Sequence, residues 1–139
     1  MTLDELISPI QGRLGVLERR GDQHVVIGAL TDDSRQVQPG ALFVAVQGER
    51  VDGHEYLDRV VKAGAVAVVV GRHVEVGSMP CIRVQDSRAA LGILGSRFYG
   101  DPSAALRMVG VTGTNGKTTT TYVVKTMLEA ANRQVGLIG

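Results

Sequence analysis

Apolar residues along this 139-residue chain fall in short runs, and the spacing within the runs changes from one to the next. Val25 to Leu30, Ala41 to Val46, Val66 to Val70 and Pro80 to Val84 are compact apolar segments, rich in β-branched residues and bounded by turn residues. They read as strands, and the 66–70 run has the composition of a strand buried on both faces. Between them the period lengthens. From His54 to Ala63, Tyr56, Leu57, Val60 and Val61 recur at helical spacing. After Asp86, a natural N-cap, Ala90, Leu91, Leu94 and Phe98 share one helical face. Thr2 to Ile7 reads as a short helix with Thr2 as N-cap and Glu5 completing a capping box. Pro39-Gly40 and Asp52-Gly53 mark turns.

Gly100-Asp101-Pro102-Ser103 interrupts the alternation and predicts a boundary, with one domain over residues 1–100 and the start of another over 101–139. The first part predicts a small α/β domain. The second predicts one βαβ unit: a strand from Arg107 to Val111, a glycine turn, a helix bearing Val123, Val124, Met127, Leu128 and Ala131, and a strand from Gln134 to Ile138. Such a unit belongs to a larger parallel sheet covered on both faces, so by itself it leaves apolar surface exposed.

Composition narrows the class. Hydrophobic residues make up 44%, enough for a packed core, and the net charge of +1 gives no reason to expect a nucleic acid or an anionic membrane as partner. Cys81, the single cysteine, is expected to be a buried small hydrophobe in a reducing compartment. No export signal is visible at Met1-Thr2-Leu3, and the apolar run from Ala63 to Val70 is too short to span a bilayer, so a cytoplasmic protein is expected.

The chemistry is concentrated in Gly113-Thr114-Asn115-Gly116-Lys117-Thr118-Thr119. A glycine turn between strand and helix gathers backbone N–H groups into one concavity, and the helix adds the positive end of its dipole. Phosphate oxygens suit that place. Lys117 would reach the terminal phosphates and the Thr118 hydroxyl would ligate Mg²⁺. Gly116-Lys117-Thr118 fits the pattern G-x-x-x-x-G-K-[ST] directly, whereas its first position is Val111, with glycines at 110 and 113 instead. Asp33, Ser34 and Arg35 admit two readings, a turn with a surface ion pair or a ligand contact. His54 reads as a helix-start residue ahead of a ligand.

The string from Val111 to Thr120 resembles the ATP-binding motif of the Mur ligases of peptidoglycan synthesis. Asp33-Ser34-Arg35, Pro39 to Ala45, and Gly48 with Asp52-Gly53-His54 resemble the uridine-nucleotide domain of the E-type and F-type members. Phe98 to Ser103 is most similar to the E type. The resemblance covers nearly the whole chain. It implies an ATP-dependent ligase that phosphorylates the γ-carboxylate of D-glutamate in UDP-N-acetylmuramoyl-L-alanyl-D-glutamate. A diamino acid, meso-diaminopimelate or L-lysine, then attacks the acyl phosphate. It assigns Lys117 to the β/γ-phosphates, Gly113 to Thr119 to the phosphate cradle and Thr118 to Mg²⁺. Asp32 and Ser34, with Glu49, Arg50 and Val51, fall to the UDP end of the substrate. The carbamylated lysine, adenine pocket and amino-acid site of the family lie further along the chain than residue 139, so this chain alone is expected to be inactive. Two alternatives stay open: an F-type D-alanyl-D-alanine ligase, and a non-catalytic UDP-muramyl-peptide binding module.

Overall fold

The computed structural model describes residues 1–48 and 51–138. The chain divides into two compact units, Met1–Pro102 and Ser103–Gly139.

The first unit is a five-stranded sheet with helices on both faces. In chain order its strands are β1 (Val16–Arg20), β2 (Ala29–Thr31), β3 (Ala41–Ala45), β4 (Ala67–Val70) and β5 (Cys81–Val84). Its helices are α1 (Leu3–Ile7), α2 (Gln11–Leu14), α3 (Leu57–Lys62) and α4 (Ser87–Phe98). The order across the sheet is β1-β5-β4-β3-β2. The last four strands are mutually parallel, and β1 runs antiparallel to β5.

The continuous apolar runs follow from this arrangement, because successive side chains of a central strand must each find a buried layer. Leu42, Val44, Ala67, Val69, Ile82 and Val84 point to the face covered by Leu3, Leu6 and Ile7 of α1 and by Ala90 and Leu94 of α4. Phe43, Ala45, Val68, Val70 and Cys81 point to the other, against Leu57 and Val60 of α3. Every residue of β3 and β4 is buried.

The local signals hold at both ends of this unit. Thr2 and Glu5 form the reciprocal capping box, and the Asp86 carboxylate accepts from the N–H groups of Arg88 and Ala89 at the start of α4. The expected strand over 25–30 is shorter and shifted, with β2 confined to Ala29–Thr31 and Val26 making one isolated bridge to Thr2. The expected 54–63 helix begins as a 3-10 turn, Gly53–Tyr56, before α3. Strand β1 carries Glu18, Arg19 and Arg20 on a half-exposed edge, where ion pairing of Glu18 with Arg83 at 3.1 Å takes the place of an apolar pattern.

In the second unit the helix forms as α5 (Lys117–Ala130). The expected strands at 107–111 and 134–138 have no ladder partners among the described residues, and no residue of α5 is buried. The apolar stripe of Val123, Met127 and Leu128 stays exposed. A strand needs a neighbour to satisfy its backbone groups, and the two segments do not pair with each other.

Candidate functional site

Parallel α/β sheets gather their ligands outside the carboxyl ends of the strands, where loops converge and backbone groups lack sheet partners. In the first unit those ends bring together Asp32-Asp33-Ser34 after β2, the paired hairpin arms Val46 to Gly48 and Val51 to Gly53 after β3, Gly71-Arg72 after β4 and Gln85 to Ser87 after β5.

The segment after β2 is held from within. Asp33 accepts from the Arg35 backbone N–H at 2.9 Å, from Arg35 Nε at 2.9 Å and Nη2 at 2.8 Å, and from Gln36 Nε2 at 3.0 Å. The Asp33 N–H in turn donates to Thr31 Oγ1 at 3.1 Å. The Arg35 guanidinium, its backbone N–H and the Gln36 amide together hold the Asp33 carboxyl far below the usual carboxylate range. Asp33 and Arg35 are thus spent on the loop itself. Ser34, between them, makes no hydrogen bond among the described residues, so its hydroxyl is free to meet a ligand. Asp32 is exposed.

The hairpin after β3 has Val46 and Gly53 at its base, joined by Gly53 N–H to Val46 carbonyl at 2.9 Å. Gly48 N–H meets the Val51 carbonyl at 2.8 Å near its tip. A Cβ on Gly53 would lie 2.8 Å from Val46 N, and one on Gly48 would lie 2.8 Å from Val51 O, so both positions require glycine for close approach of backbone. Val51 is exposed on this hairpin. Glu49 and Arg50, the other two residues assigned to the nucleotide loop, lie outside the described residues.

A hollow of about 330 Å³ opens beside the hairpin, with Gln47, His54, Arg72, Asp86, Ser87 and Arg88 among its walls. Asp52 Oδ1 accepts from His54 N at 2.9 Å and lies 2.5 Å from His54 Nδ1, while Arg72 reaches Asp52 Oδ2 at 3.0 Å. The His54 backbone N–H, its ring and the Arg72 charge lower the Asp52 pKa. His54 does start a helical turn, as its place after Asp52-Gly53 suggested, but its ring is buried. Sequence reasoning passed over Arg72 and Arg88. Arg88 donates to the Gln47 carbonyl at 3.1 Å, a contact across 41 residues that no local pattern signals.

In the second unit, Gly113 to Gly116 form the turn before α5. Gly116 is the N-cap at φ 75°, a left-handed conformation that glycine adopts without strain, and it has no side chain to cap the helix. The opening N–H groups of α5 therefore remain available, in contrast to those at α4, where a carboxylate already accepts. Lys117 folds back so that its ammonium donates to the Gly113 carbonyl at 2.6 Å. Thr121 Oγ1 donates to the Thr118 carbonyl, and the Thr118 hydroxyl itself makes no hydrogen bond among the described residues. Thr114, Asn115 and Thr119 are exposed around this turn. Open helix donors, a flexible ammonium and a free hydroxyl are the donor set that a nucleotide's phosphates and an accompanying Mg²⁺ require.

Residues 26–99 match the Mur ligase family, catalytic domain, and residues 111–139 match the Mur ligase middle domain. The chain belongs to the Mur ligase family. It is 42% identical over 139 residues to a UDP-N-acetylmuramoyl-L-alanyl-D-glutamate--2,6-diaminopimelate ligase of Listeria innocua. The identity to the ligase of the same name in Geobacillus thermodenitrificans is 45%. In both comparisons the whole of this chain is covered but only 27% of the relative. Among solved structures, a crystal structure of MurF from Acinetobacter baumannii superposes with a TM-score of 0.71 at 31% identity, covering 93% of this chain and 27% of that one. A solved UDP-N-acetylmuramoyl-L-alanyl-D-glutamate--2,6-diaminopimelate ligase shares the fold with a TM-score of 0.74 at 20% identity. The expected α/β architecture is therefore present in the first unit, in a chain that spans about a quarter of its relatives' length. Among the described residues, no helix is long and apolar enough to cross a membrane.

Proposed function

We propose that this chain carries the substrate-anchoring part and the phosphate loop of an ATP-dependent amide-forming ligase. The substrates are UDP-N-acetylmuramoyl-L-alanyl-D-glutamate and a diamino acid. The observation that carries this reading is the coexistence of two open donor sets on one chain. One is the Ser34 hydroxyl at the parallel strand ends, beside the exposed Val51, and the other lies at the uncapped start of α5 around Lys117. Likeness along the full chain to diaminopimelate ligases at 42% and 45% supports the E-type substrate over the F-type one.

In this reading Asp32, Ser34 and Val51, with Glu49 and Arg50, hold the uridine diphosphate end. Asp33 and Arg35 keep Ser34 in place. The N–H groups from Gly113 to Thr119 surround the nucleotide phosphates, and Lys117 exchanges its bond to Gly113 for one to the terminal phosphates. Thr118 holds Mg²⁺. Bound Mg-ATP supplies the phosphoryl group that activates the substrate carboxylate. The protein's part in such a transfer is alignment and charge neutralisation, which a fixed cradle of N–H groups and one ammonium provide.

Calorimetric titration of the chain with UDP-N-acetylmuramoyl-L-alanyl-D-glutamate, and separately with Mg-ATP, tests the reading. Muramyl-nucleotide binding that weakens in Ser34→Ala supports it. Mg-ATP binding with no response to the muramyl nucleotide would assign the phosphate loop to a different substrate class.

A further inference from the structure

Among the described residues, two backbone bonds join the arms of the hairpin after β3, Gly53 N–H to Val46 O and Gly48 N–H to Val51 O. A two-residue ladder of this kind is marginal by itself, so its orientation must come from elsewhere. Arg88 holds one arm through the Gln47 carbonyl at 3.1 Å, and His54 holds the other. Its Nε2 accepts the Gly71 N–H at 3.0 Å, the first backbone amide beyond β4. That acceptor role places the ring proton on Nδ1, which donates to Asp52 Oδ1. Asp52 is the hairpin residue paired with Gln47. One neutral imidazole, 7% exposed, thus bridges the base of the hairpin to the end of β4. Arg72 braces the same carboxylate through Oδ2 at 3.0 Å. With both ring nitrogens engaged inside the protein, His54 has none left for a ligand.

We infer that His54 is a positioning residue: through Asp52 on one side and Gly71 on the other, it sets the hairpin that presents Val51 to the uridine nucleotide. The inference rests on the reading of that hairpin as a nucleotide contact. It adds a link between two strand ends that neither the turn chemistry of Asp52-Gly53 nor the phosphate loop contains. The chemistry of the link is specific. It needs an acceptor for a backbone N–H and a donor for a carboxylate on one rigid, buried group. A ring of equal bulk without nitrogens would leave the half-buried Gly71 N–H without its acceptor and would take the ring donor from Asp52 Oδ1, which keeps only the backbone N–H of residue 54.

The test compares the unsubstituted chain with His54→Phe, which keeps the ring and loses both bonds, and His54→Gln, whose amide offers one acceptor and one donor. Amide hydrogen exchange is read at Gly48, Gly53 and Gly71, with Val44 and Val69 in the buried strands as controls, and each chain is titrated with uridine diphosphate. In His54→Phe the three glycine amides are expected to exchange faster and the affinity for uridine diphosphate to fall, each by about tenfold, with the two valines unchanged. His54→Gln should bring both readouts back to within about threefold. If His54→Phe does not fold, Gly71 is followed in His54→Asn, which keeps a donor near Asp52 and lacks the reach to Gly71. Unchanged protection at the glycines overturns the inference, as does equal loss at Val44 and Val69, which would make His54 a packing residue only. A hairpin that loosens in a chain that never bound uridine diphosphate would leave His54 as the hairpin's anchor and dispose of the nucleotide reading instead.

Discussion

Lys117 and Ser34 make opposite demands on their surroundings, and each yields a separate prediction. The Lys117 ammonium is exposed and rests on a carbonyl it can leave. Its replacement by alanine should lower Mg-ATP affinity about tenfold to a hundredfold, the size of a lost charged hydrogen bond, with thermal stability unchanged. Ser34 sits in a loop already tied by Asp33, so Ser34→Ala should weaken muramyl-nucleotide binding about threefold to tenfold in calorimetry, with the loop intact. The acidic limb of stability follows from Asp33 and Asp52. Both have folded-state pKa values below their ordinary value. Their contribution is therefore complete above the unfolded carboxylate pKa of about 4 and is lost as pH falls from there through the lower folded values. Urea midpoints measured downward from neutral pH should fall on that side, and Asp52→Asn should flatten the fall. The residues proposed for the phosphate loop stand out in the sequence one by one, because Gly-Lys-Thr has few other uses. The role of His54 was not, because its partner Gly71 lies 17 residues away and contributes only a backbone N–H.

Among elements, those with a strong local signal appear at the expected places. The buried strands β3 and β4 are unbroken apolar runs, and α1 and α4 start at their capping residues. Asp86→Ala should destabilise the first unit by about 1 kcal/mol through loss of the α4 cap. Leu94→Ala should cost about 2–5 kcal/mol, since its side chain is fully buried against the sheet. Thermal or urea unfolding reads both. Strand β1 was illegible for a physical reason. An edge strand with one solvated side has no need of an apolar pattern, and Val16 to Arg20 is held by ladder bonds and by Glu18 with Arg83. Only the glycines at 15 and 21, both at positive φ, bracket it in the sequence. The expected strands at 107–111 and 134–138 fail in the opposite sense. Their composition suits a parallel sheet, but composition cannot supply the neighbouring strands that a ladder needs.

At the scale of the whole molecule the two units differ in how much they bury. The first has a two-sided core. The second buries no residue of its helix. Hydrogen exchange should therefore show strong protection through β3, β4 and β5 and weak protection at Met108 to Val111 and Val135 to Leu137. The account's central claim is that the strand ends of the first unit take the uridine nucleotide while the loop before α5 takes Mg-ATP. The most direct test is a residue-resolved NMR titration of this chain with UDP-N-acetylmuramoyl-L-alanyl-D-glutamate, followed by Mg-ATP. The account predicts that the first ligand shifts the amides of Asp32, Ser34, Gly48 and Val51, and that the second shifts those from Gly113 to Thr119. Shifts from the muramyl nucleotide that centre on Gly113 to Thr119, and leave the strand ends untouched, would contradict it.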